Sequence, residues 1–352
     1  MSARSITIHT SLDEELLHEW QQLWNESHFA TFHNSPTWFM ACKQGLHLKD
    51  YFFLVVKTDG RLEAIFPLIV ERRFGISAIC CPGERFVDKS TLLLKDNDPK
   101  LITAIINHLT GMSNLYLEEF SKEMAELILR NNKQVRKQEA SINPYLPLES
   151  NPLRFMTNKM RNKIQNKIKR YQKSLTFQNY LGNSLGLEKA FEIDARSTKR
   201  QKGTSDLAGK EQKEFIHALL SVAGKNLTVD ILSYEGVPVV YAIGLTYKKT
   251  YHAFQTAFDG NYAFLSPGKM LSFYIYDHLR EKGYELFDYS RGVTVLKKEF
   301  TPLFAVQYDI LFSKNMLVFY WWRLCNYLYN AILGNKKLYG MYLFFKKLIF
   351  YH

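Results

Sequence analysis

The sequence predicts an α/β protein with mixed sheets and two domains. The chain has 352 residues, which is long for one domain and comfortable for two. Hydrophobic residues make up 46% of it and charged residues 23%, as in folded globular proteins. Strand-like alternation and helix-like spacing of apolar residues follow one another in both halves. Three prolines in the polar segment Ser141 to Pro152 indicate a boundary, which predicts domains at 1–150 and 151–313 and a tail at 314–352.

The first half begins with an alternating strand and a helix. Ser11 precedes Glu14 by three residues, a capping-box spacing that predicts a helix start. Asp59-Gly60 joins two strand-like runs into a hairpin, and Pro67 predicts an edge or a bulge in the second run. The predicted strands are Ser5–Thr10, Tyr51–Lys57, Leu62–Val70 and Asn114–Leu117, and the predicted helices open at Ser11 and Ser35 and cover Lys100–Leu109 and Lys122–Leu129.

The second half begins with a basic helix at Arg154–Ser174. Its cations, Arg161 among them, either face solvent or contact a phosphorylated acceptor, lipid head groups or RNA. Further helices are predicted at Leu187–Lys199 and Gly209–Val222, and strands at Leu227–Tyr234, Val237–Tyr247 and Thr250–Phe258.

A well-marked helix follows the last of these strands. Ser266 is the predicted N-cap, Pro267 takes the first helical position and Gly283 lies just past the end. Lys269 falls in the first turn, where the helix dipole disfavours a cation. Together with Gly268, this suggests a bound anion, and the alternative is an ordinary capped helix whose lysine faces solvent. A short strand is predicted at Tyr284–Tyr289.

This stretch resembles the C-terminal core of the GNAT N-acyltransferase superfamily. The resemblance is carried by Ser266-Pro267-Gly268, Asp288, Arg291-Gly292 and Lys297, and it is strongest for the polysaccharide-associated (cellulose-biosynthesis-type) branch, which is similar to the Fem-type peptidyltransferases. It implies two tandem acyltransferase-like domains. The first lacks a Ser-Pro-Gly helix start, so it is expected to be degenerate and either to shape the acceptor site or only to pack.

The resemblance also implies site residues. The strands on either side of the helix would splay apart and hold acetyl-CoA or another acyl-CoA, with its pyrophosphate at Ser266, Gly268 and Lys269. An oxyanion stabiliser is expected from the backbone around Gln255, Thr256 and Ala257. The further site residues are Asp288 as a base with a raised pKa or as a brace for the following turn, Lys297 beside phosphate or developing charge, and Arg291 and Arg161 on the acceptor. No tyrosine follows Asp288 at the distance usual for protonating the thiolate, so the general acid stays open.

The predicted function is acyl transfer, acetyl above all, to an amine or a hydroxyl on a sugar-nucleotide or lipid-linked sugar in cell-surface polysaccharide biosynthesis. One alternative is a Fem-type transferase that uses aminoacyl-tRNA, and another is an inactive membrane-associated assembly factor. No metal is expected, because the ten histidines are scattered and the four cysteines have no ligand spacing. The cysteine pattern favours a reducing, cytoplasmic setting.

The C-terminal tail is the basis of a membrane prediction. The net charge is +12, and no Asp or Glu follows Asp309. Trp, Tyr and Lys are abundant from about Asn315 to His352, a composition typical of the water–lipid interface. We therefore expect the tail to lie on an anionic membrane surface, at the inner face of the cell membrane. The alternatives are helices packed on the second domain or a dimer contact.

Overall fold

The computed structural model of the protein describes residues 4–83, 86–148, 155–205 and 207–334. The strands are β1 (Arg4–His9), β2 (Tyr51–Thr58), β3 (Arg61–Arg73), β4 (Ile76–Cys80), β5 (Leu93–Leu94), β6 (Leu115–Ser121), β7 (Arg136–Pro147), β8 (Leu175–Leu181), β9 (Leu227–Tyr234), β10 (Val237–Tyr247), β11 (Thr250–Phe258), β12 (Leu286–Asp288) and β13 (Phe304–Phe312). The helices are α1 (Glu14–Glu26), α2 (Pro36–Gly45), α3 (Pro99–Met112), α4 (Lys122–Asn131), α5 (Asn158–Tyr171), α6 (Ser184–Ala195), α7 (Thr198–Gln201), α8 (Lys210–Ala223), α9 (Pro267–Glu281), α10 (Val295–Phe300) and α11 (Met316–Gly334). The predicted α/β class is confirmed.

The strands form one mixed sheet with two similar halves. Their order is β1-β2-β3-β4-β6-β13-β7-β12-β11-β10-β9-β8, and β5 pairs with β3. Each half has an antiparallel series, then a helical crossover, then a parallel strand. In the first half the parallel pair is β4 and β6, with α3 between them. In the second half it is β11 and β12, with α9 between them.

The halves exchange one strand each. From the first half of the chain, β7 pairs with β12, whereas β13 from the second half pairs with β6. Also, β7 and β13 pair with each other, which closes the sheet across the middle. The proline-containing segment up to Pro147 is therefore strand rather than linker, and residues 149–154 lie outside the described residues. Pro144 takes part in the sheet through its carbonyl, which accepts from the Tyr289 N–H at 2.9 Å. The domain limits 1–150 and 151–313 stay a prediction.

Helices cover the sheet and join its halves. In the first half, α1 and α2 pack on β2 and β3, and α3 and α4 cover the opposite face. In the second half, α6 and α8 lie on one face and α5 and α9 on the other. Across the junction α2 packs on α8, with the Trp38 and Phe215 rings 5.5 Å apart. Gly45 permits this approach, because a Cβ there would lie 2.5 Å from the Phe215 Cα.

Some local predictions are wrong. Helix α1 is capped by Asp13, whose Oδ1 accepts from the Leu16 N–H at 2.8 Å, and not by Ser11. The basic helix begins at Asn158 behind Thr157, and Arg154 lies outside the described residues. Pro67 lies opposite Phe53 of β2. On the other side of β3, β5 pairs only at Ala64 and Ile65 and β4 only from Ile69, so Pro67 has no partner on that side, as the predicted edge requires.

The last described helix, α11, packs on the sheet face formed by β3, β4, β6 and the exchanged strand β13. Its Phe319 and Trp322 are buried against Ile69 of β3, Tyr116 of β6 and neighbouring residues of this sheet face. The Trp322 Nε1–H donates to the Arg73 carbonyl at 3.1 Å. Among residues 4–334, apart from the short undescribed gaps, no helix is long and apolar enough to cross a membrane. Residues 335–352 of the predicted membrane tail lie outside the described part.

Candidate active site at the junction of the two halves

The parallel strands β11 and β12 separate after three residue pairs. The pairs are Thr250 with Leu286, Tyr251 with Phe287 and His252 with Asp288. There β12 ends, while β11 continues to Phe258 with only β10 beside it. Beyond His252 and Asp288 the two strands are not paired, so residues 253–258 and 289–292 flank a gap in the sheet with this pair at its apex. We call this the β11–β12 cleft.

A β-bulge lies where the cleft begins. Gly244 of β10 is opposite Ala253, but the next pair is Ile243 with Gln255, so Phe254 is left without an opposite residue. Such a bulge bends the strand and interrupts the regular backbone pairing. The predicted oxyanion residues Gln255, Thr256 and Ala257 follow directly, in the part of β11 that β12 does not reach.

The start of α9 differs from the prediction in its cap. Ser266 has left-handed backbone angles (φ 55°, ψ 53°) and its side chain makes no capping bond. An N-cap normally has extended backbone, which aims its oxygen at the first turn. The Ser266 Oγ instead accepts from the Lys167 Nζ of α5 at 2.8 Å. Beside Gly268 there is open space, because a Cβ there would meet only Leu296 Cδ2, at 4.0 Å.

The cations at this helix start come mainly from α5. Lys269 itself is paired with Glu299, at 2.6 Å from Nζ to Oε2, so its place in the first turn does not require a bound anion. Burial and the charges of Lys163, Lys269 and Arg170 lower the pKa of Lys167. This crowding of positive charge at the start of α9 favours an anion there. Arg161 lies half-buried on the same helix α5.

At the apex, Asp288 and His252 are both buried side chains. The His252 Nδ1 lies 3.5 Å from Asp288 Oδ2, and the Ser290 N–H donates to Asp288 Oδ1 at 2.8 Å. Burial alone would raise the pKa of Asp288, but His252, the charge of Lys89 and the Ser290 N–H together hold it at about 2. The expected rise in the pKa of Asp288 is therefore wrong. Its contacts are those of a carboxylate that orients His252 and braces the next turn.

His33 approaches the same apex from the first half. Its ring lies 6.3 Å from the His252 ring and 4.6 Å from the Trp38 ring. The side chain is buried, and in the described structure neither ring nitrogen has a hydrogen-bond partner. Burial, and then the charge of His252, lower the pKa of His33 to about 3, so this imidazole is neutral. Buried polar atoms left without a partner are uncommon and often mark a ligand site.

The rim of the apex carries charges from both halves. The Arg291 Nε lies 3.3 Å from Oδ1 of the buried Asp88, while the Arg291 side chain remains 42% exposed. Burial raises the pKa of Asp88. The Lys297 Nζ donates to the carbonyls of Ser290 and Arg291 at 3.1 and 2.8 Å, whereas Lys298 is exposed. Burial lowers the pKa of Lys297 to about 8.

A buried carboxyl of β6 extends this polar region into the first half. Glu119 has φ 58°, a backbone conformation that strains a residue with a Cβ. Its Oε2 accepts from the Ser141 Oγ, and its N–H donates to Asp309 Oδ1 at 3.3 Å. Burial raises the pKa of Glu119 to about 8, so this carboxyl is largely protonated at neutral pH.

The structure thus brings Asp288, Arg291 and Lys297 together, and adds three residues that the sequence reasoning missed: His33, Asp88 and His252. His252 lies inside the predicted strand, and only its register against Asp288 distinguishes it. His33 and Asp88 come from the other half, and no local pattern marks them. Tyr289 is not placed to serve as a general acid, because its hydroxyl bonds to the buried Tyr276 hydroxyl.

In the described residues, no group of three or more His, Cys, Asp or Glu is placed to hold a metal ion. No curated protein sequence matches the chain. Residues 158–298 match the acetyltransferase (GNAT) domain family. This range contains the β11–β12 cleft, α9 and all the motif residues on which the resemblance rests.

Solved structures show the same fold over most of the chain. FemX is similar with a TM-score of 0.66 and 10% identity, over 87% of this chain and 96% of that one. L-PGS from Bacillus licheniformis is similar with a TM-score of 0.55 and 12% identity, over 86% and 93%. A C-terminal domain assigned to a lysylphosphatidylglycerol synthetase of Agrobacterium fabrum gives 0.58 and 14%, over 85% and 91%. The chain thus has a GNAT-type fold, and its residues 158–298 match the GNAT acetyltransferase domain family.

Proposed function

We propose that the protein transfers an acyl group, acetyl above all, from acyl-CoA to an amine on a sugar-nucleotide or lipid-linked sugar. A hydroxyl is the second choice of acceptor. The observation that carries this proposal is the β11–β12 cleft. There β11 continues past a bulge without β12 beside it, and helix α9 follows it in the chain. The match of residues 158–298 to the GNAT acetyltransferase domain supports it.

The residues around the cleft fit an acyl-CoA. The cations of α5, Lys167 foremost, would hold its pyrophosphate at the start of α9, and Gly268 leaves room for close approach. Backbone N–H groups after the bulge, at Gln255 to Ala257, would face the thioester carbonyl. The bound donor supplies an activated thioester, and holding it beside an amine is worth roughly 7–11 kcal/mol of the barrier.

His252 is the side chain best placed to take the proton of the acceptor amine. With Nδ1 directed at the Asp288 carboxylate, the ring would use Nε2 to accept the proton. Asp288, ionised far below neutral pH, fixes that tautomer and would stabilise the imidazolium that forms. In this account His252 is catalytic and Asp288 is a positioning residue.

The acceptor would enter at the junction of the halves. Arg291 is still partly exposed and Lys297 lies beside it, so both could meet a phosphate of a sugar-nucleotide or lipid-linked sugar. Asp88 holds Arg291 from the first half, which gives that half a part in the acceptor site. The place in cell-surface polysaccharide biosynthesis rests on the Ser-Pro-Gly, Asp288 and Arg291-Gly292 resemblance.

A second donor, an aminoacyl-tRNA, is favoured by two observations. Helix α5 carries Lys and Arg on most of its surface, and the chain matches FemX and L-PGS over nearly their full solved length. A polyanion larger than CoA could lie on this helix.

Calorimetric titration separates the two donors. The proposal expects saturable binding of acetyl-CoA at one site, unaffected by RNase, and displacement of acetyl-CoA by free CoA. Binding of charged tRNA that excludes acetyl-CoA, or no binding of acetyl-CoA at all, would contradict it. Acetyl transfer is then assayed by thiol release in the presence of UDP-linked amino sugars.

A further inference from the structure

Helix α11 has two opposite apolar faces, of which only one is covered. Phe319 and Trp322 form the inner face, and Trp322 is 0% exposed. The Asn326 Nδ2 also bonds to the Tyr116 hydroxyl, which fixes the rotation of the helix about its axis. The outer face consists of large apolar and aromatic side chains that remain in solvent: Met316, Leu317, Tyr320, Trp321, Leu324, Tyr327 and Leu328.

These outer residues form one continuous stripe. They recur every three or four residues over about three turns, which places them on a single side of the helix. Leu317 is 75% exposed and Tyr327 is 71% exposed, so this is not a half-buried flank. The stripe continues onto the β3–β4 turn, where the exposed Phe74 accepts from the Trp321 Nε1–H through its carbonyl at 3.0 Å. We call this surface the α11 face.

Charge indicates what covers the α11 face. Lys314 precedes the helix, and Arg323 lies at the edge of the stripe, with its guanidinium 5.8 Å from the Phe319 ring. The sequence from Ser313 to its end contains six Lys or Arg residues and no Asp or Glu. Aromatic side chains combined with cations alone match the head-group region of an anionic bilayer.

We infer that the α11 face docks the protein on an anionic lipid bilayer, with the outer residues entering the head-group region and the cations meeting lipid phosphates. This inference is independent of the proposed acyl transfer. It also narrows the earlier expectation for the tail to one helix face. The inner face of α11 is packed on the sheet, so the outer face is the one left to meet lipid. Removing the whole helix would uncover Phe319 and Trp322, so point substitutions on the outer face are the appropriate variants.

The test is sedimentation of the full chain with vesicles of phosphatidylcholine alone and of equal parts phosphatidylcholine and phosphatidylglycerol. The protein should sediment with the anionic vesicles and be released by high salt. Leu317→Glu and Trp321→Glu should each lower the partition coefficient about ten- to hundredfold, because burying one such side chain is worth roughly that factor. Leu185→Glu, at a leucine of α6 that is 55% exposed, is the control and should change nothing.

Two results would overturn the inference. One is equal sedimentation of the native protein and both α11 variants, and the other is no binding to anionic vesicles. A concentration-dependent dimer that Leu317→Glu dissociates, without vesicle binding, would assign the α11 face to a second copy of the chain. Circular dichroism should be the same for all variants, and Leu317→Glu should also keep the native melting temperature, whereas Trp321→Glu loses the bond to the Phe74 carbonyl and should melt slightly lower.

Discussion

The two parallel strand pairs of the sheet are built alike, but their helices start differently. In the first half, α3 is capped by Asp98, whose Oδ1 accepts from the Lys100 N–H at 2.8 Å, and Asp98 is also paired with Arg4. The protein's own carboxylate therefore occupies that helix start. In the second half, α9 has no side-chain cap, and its start is surrounded by lysines. Only the second start offers its dipole and cations to an external anion.

The apices of the two strand pairs differ in the same way. The described pair between β4 and β6 joins Ile79 and Leu115, both of which are buried apolar side chains. The corresponding end of β11 and β12 joins His252 and Asp288. The first half thus has the same strand and helix order with an apolar pair at this point, while its His33 and Asp88 lie at the apex of the second. Under the proposed function, the first half would serve as scaffold and partial lining, and the second would hold the reaction site.

The largest effect is expected at the second apex. His252→Gln should lower turnover by about 10²–10⁴, because it removes the proton acceptor, while acetyl-CoA affinity stays within a few-fold. Asp288→Asn should lower turnover less and also lower the melting temperature, because Asp288 braces the Ser290 turn. His278→Gln, on α9 and away from the apex, is the control. Steady-state kinetics with thiol detection measure this, and native turnover in His252→Gln would refute the assignment.

The next effect compares one glycine in each crossover helix. Gly268→Val should weaken acetyl-CoA binding at least tenfold, about 1.4 kcal/mol, because the added side chain fills the space that the donor would use. Gly111→Val in α3 is the matched control, since both glycines have room for a side chain in the protein itself. Calorimetry should show normal affinity for the control. Equal affinities for the two variants would mean that the start of α9 is not the binding place.

A smaller effect is expected at the start of α3, which Asp98 caps. Asp98→Ala should lower the free energy of unfolding by about 1 kcal/mol, because it removes the cap of α3 and the pair with Arg4. Acetyl-CoA affinity should not change. The control is Asp96→Ala, at an exposed aspartate two residues earlier. Urea denaturation provides the measurement. A loss of acetyl-CoA binding in Asp98→Ala would show that the first half also binds the acyl donor.

The smallest effect concerns Glu119 of β6. The pKa of its carboxyl is raised to about 8 in the folded state from an ordinary 4.5, so only the unfolded chain releases this proton between those values. Stability from this group is therefore full at acidic pH and is lost as the pH rises from about 4.5 to 8. Glu119→Gln should flatten that part of the stability profile. If the native and variant profiles stay parallel from pH 5 to 8, the carboxyl is ionised in the folded protein.

Strongly punctuated elements could be predicted from the sequence. Pro267 and Gly283 bound α9 correctly, and Asp59-Gly60 marks the hairpin of β2 and β3, because these residues act through their own backbone angles. The Ser11 cap failed because Asp13, an equally good capping residue, stands directly before the helix. The prolines of β7 suggested a linker. A strand accepts proline only where no neighbouring strand needs its N–H, and that pairing cannot be read from the local sequence.

The rest depends on pairing between distant segments. The exchange of β7 and β13 cannot be seen locally, since it is decided by which sheet edge each strand meets. Lys269 looked misplaced until Glu299 was brought beside it. The pKa of Asp288 was expected to rise with burial, but His252 reverses the sign. For the same reason His33, in the first half, could not be assigned to the apex from sequence.

A crystal structure of the protein with bound CoA tests the central claim most directly. The account predicts the pyrophosphate at the start of α9, within reach of Lys167, and the sulfur in the β11–β12 cleft close to His252. A pyrophosphate at the start of α3, or a CoA bound away from the cleft, would contradict the division of roles between the two halves.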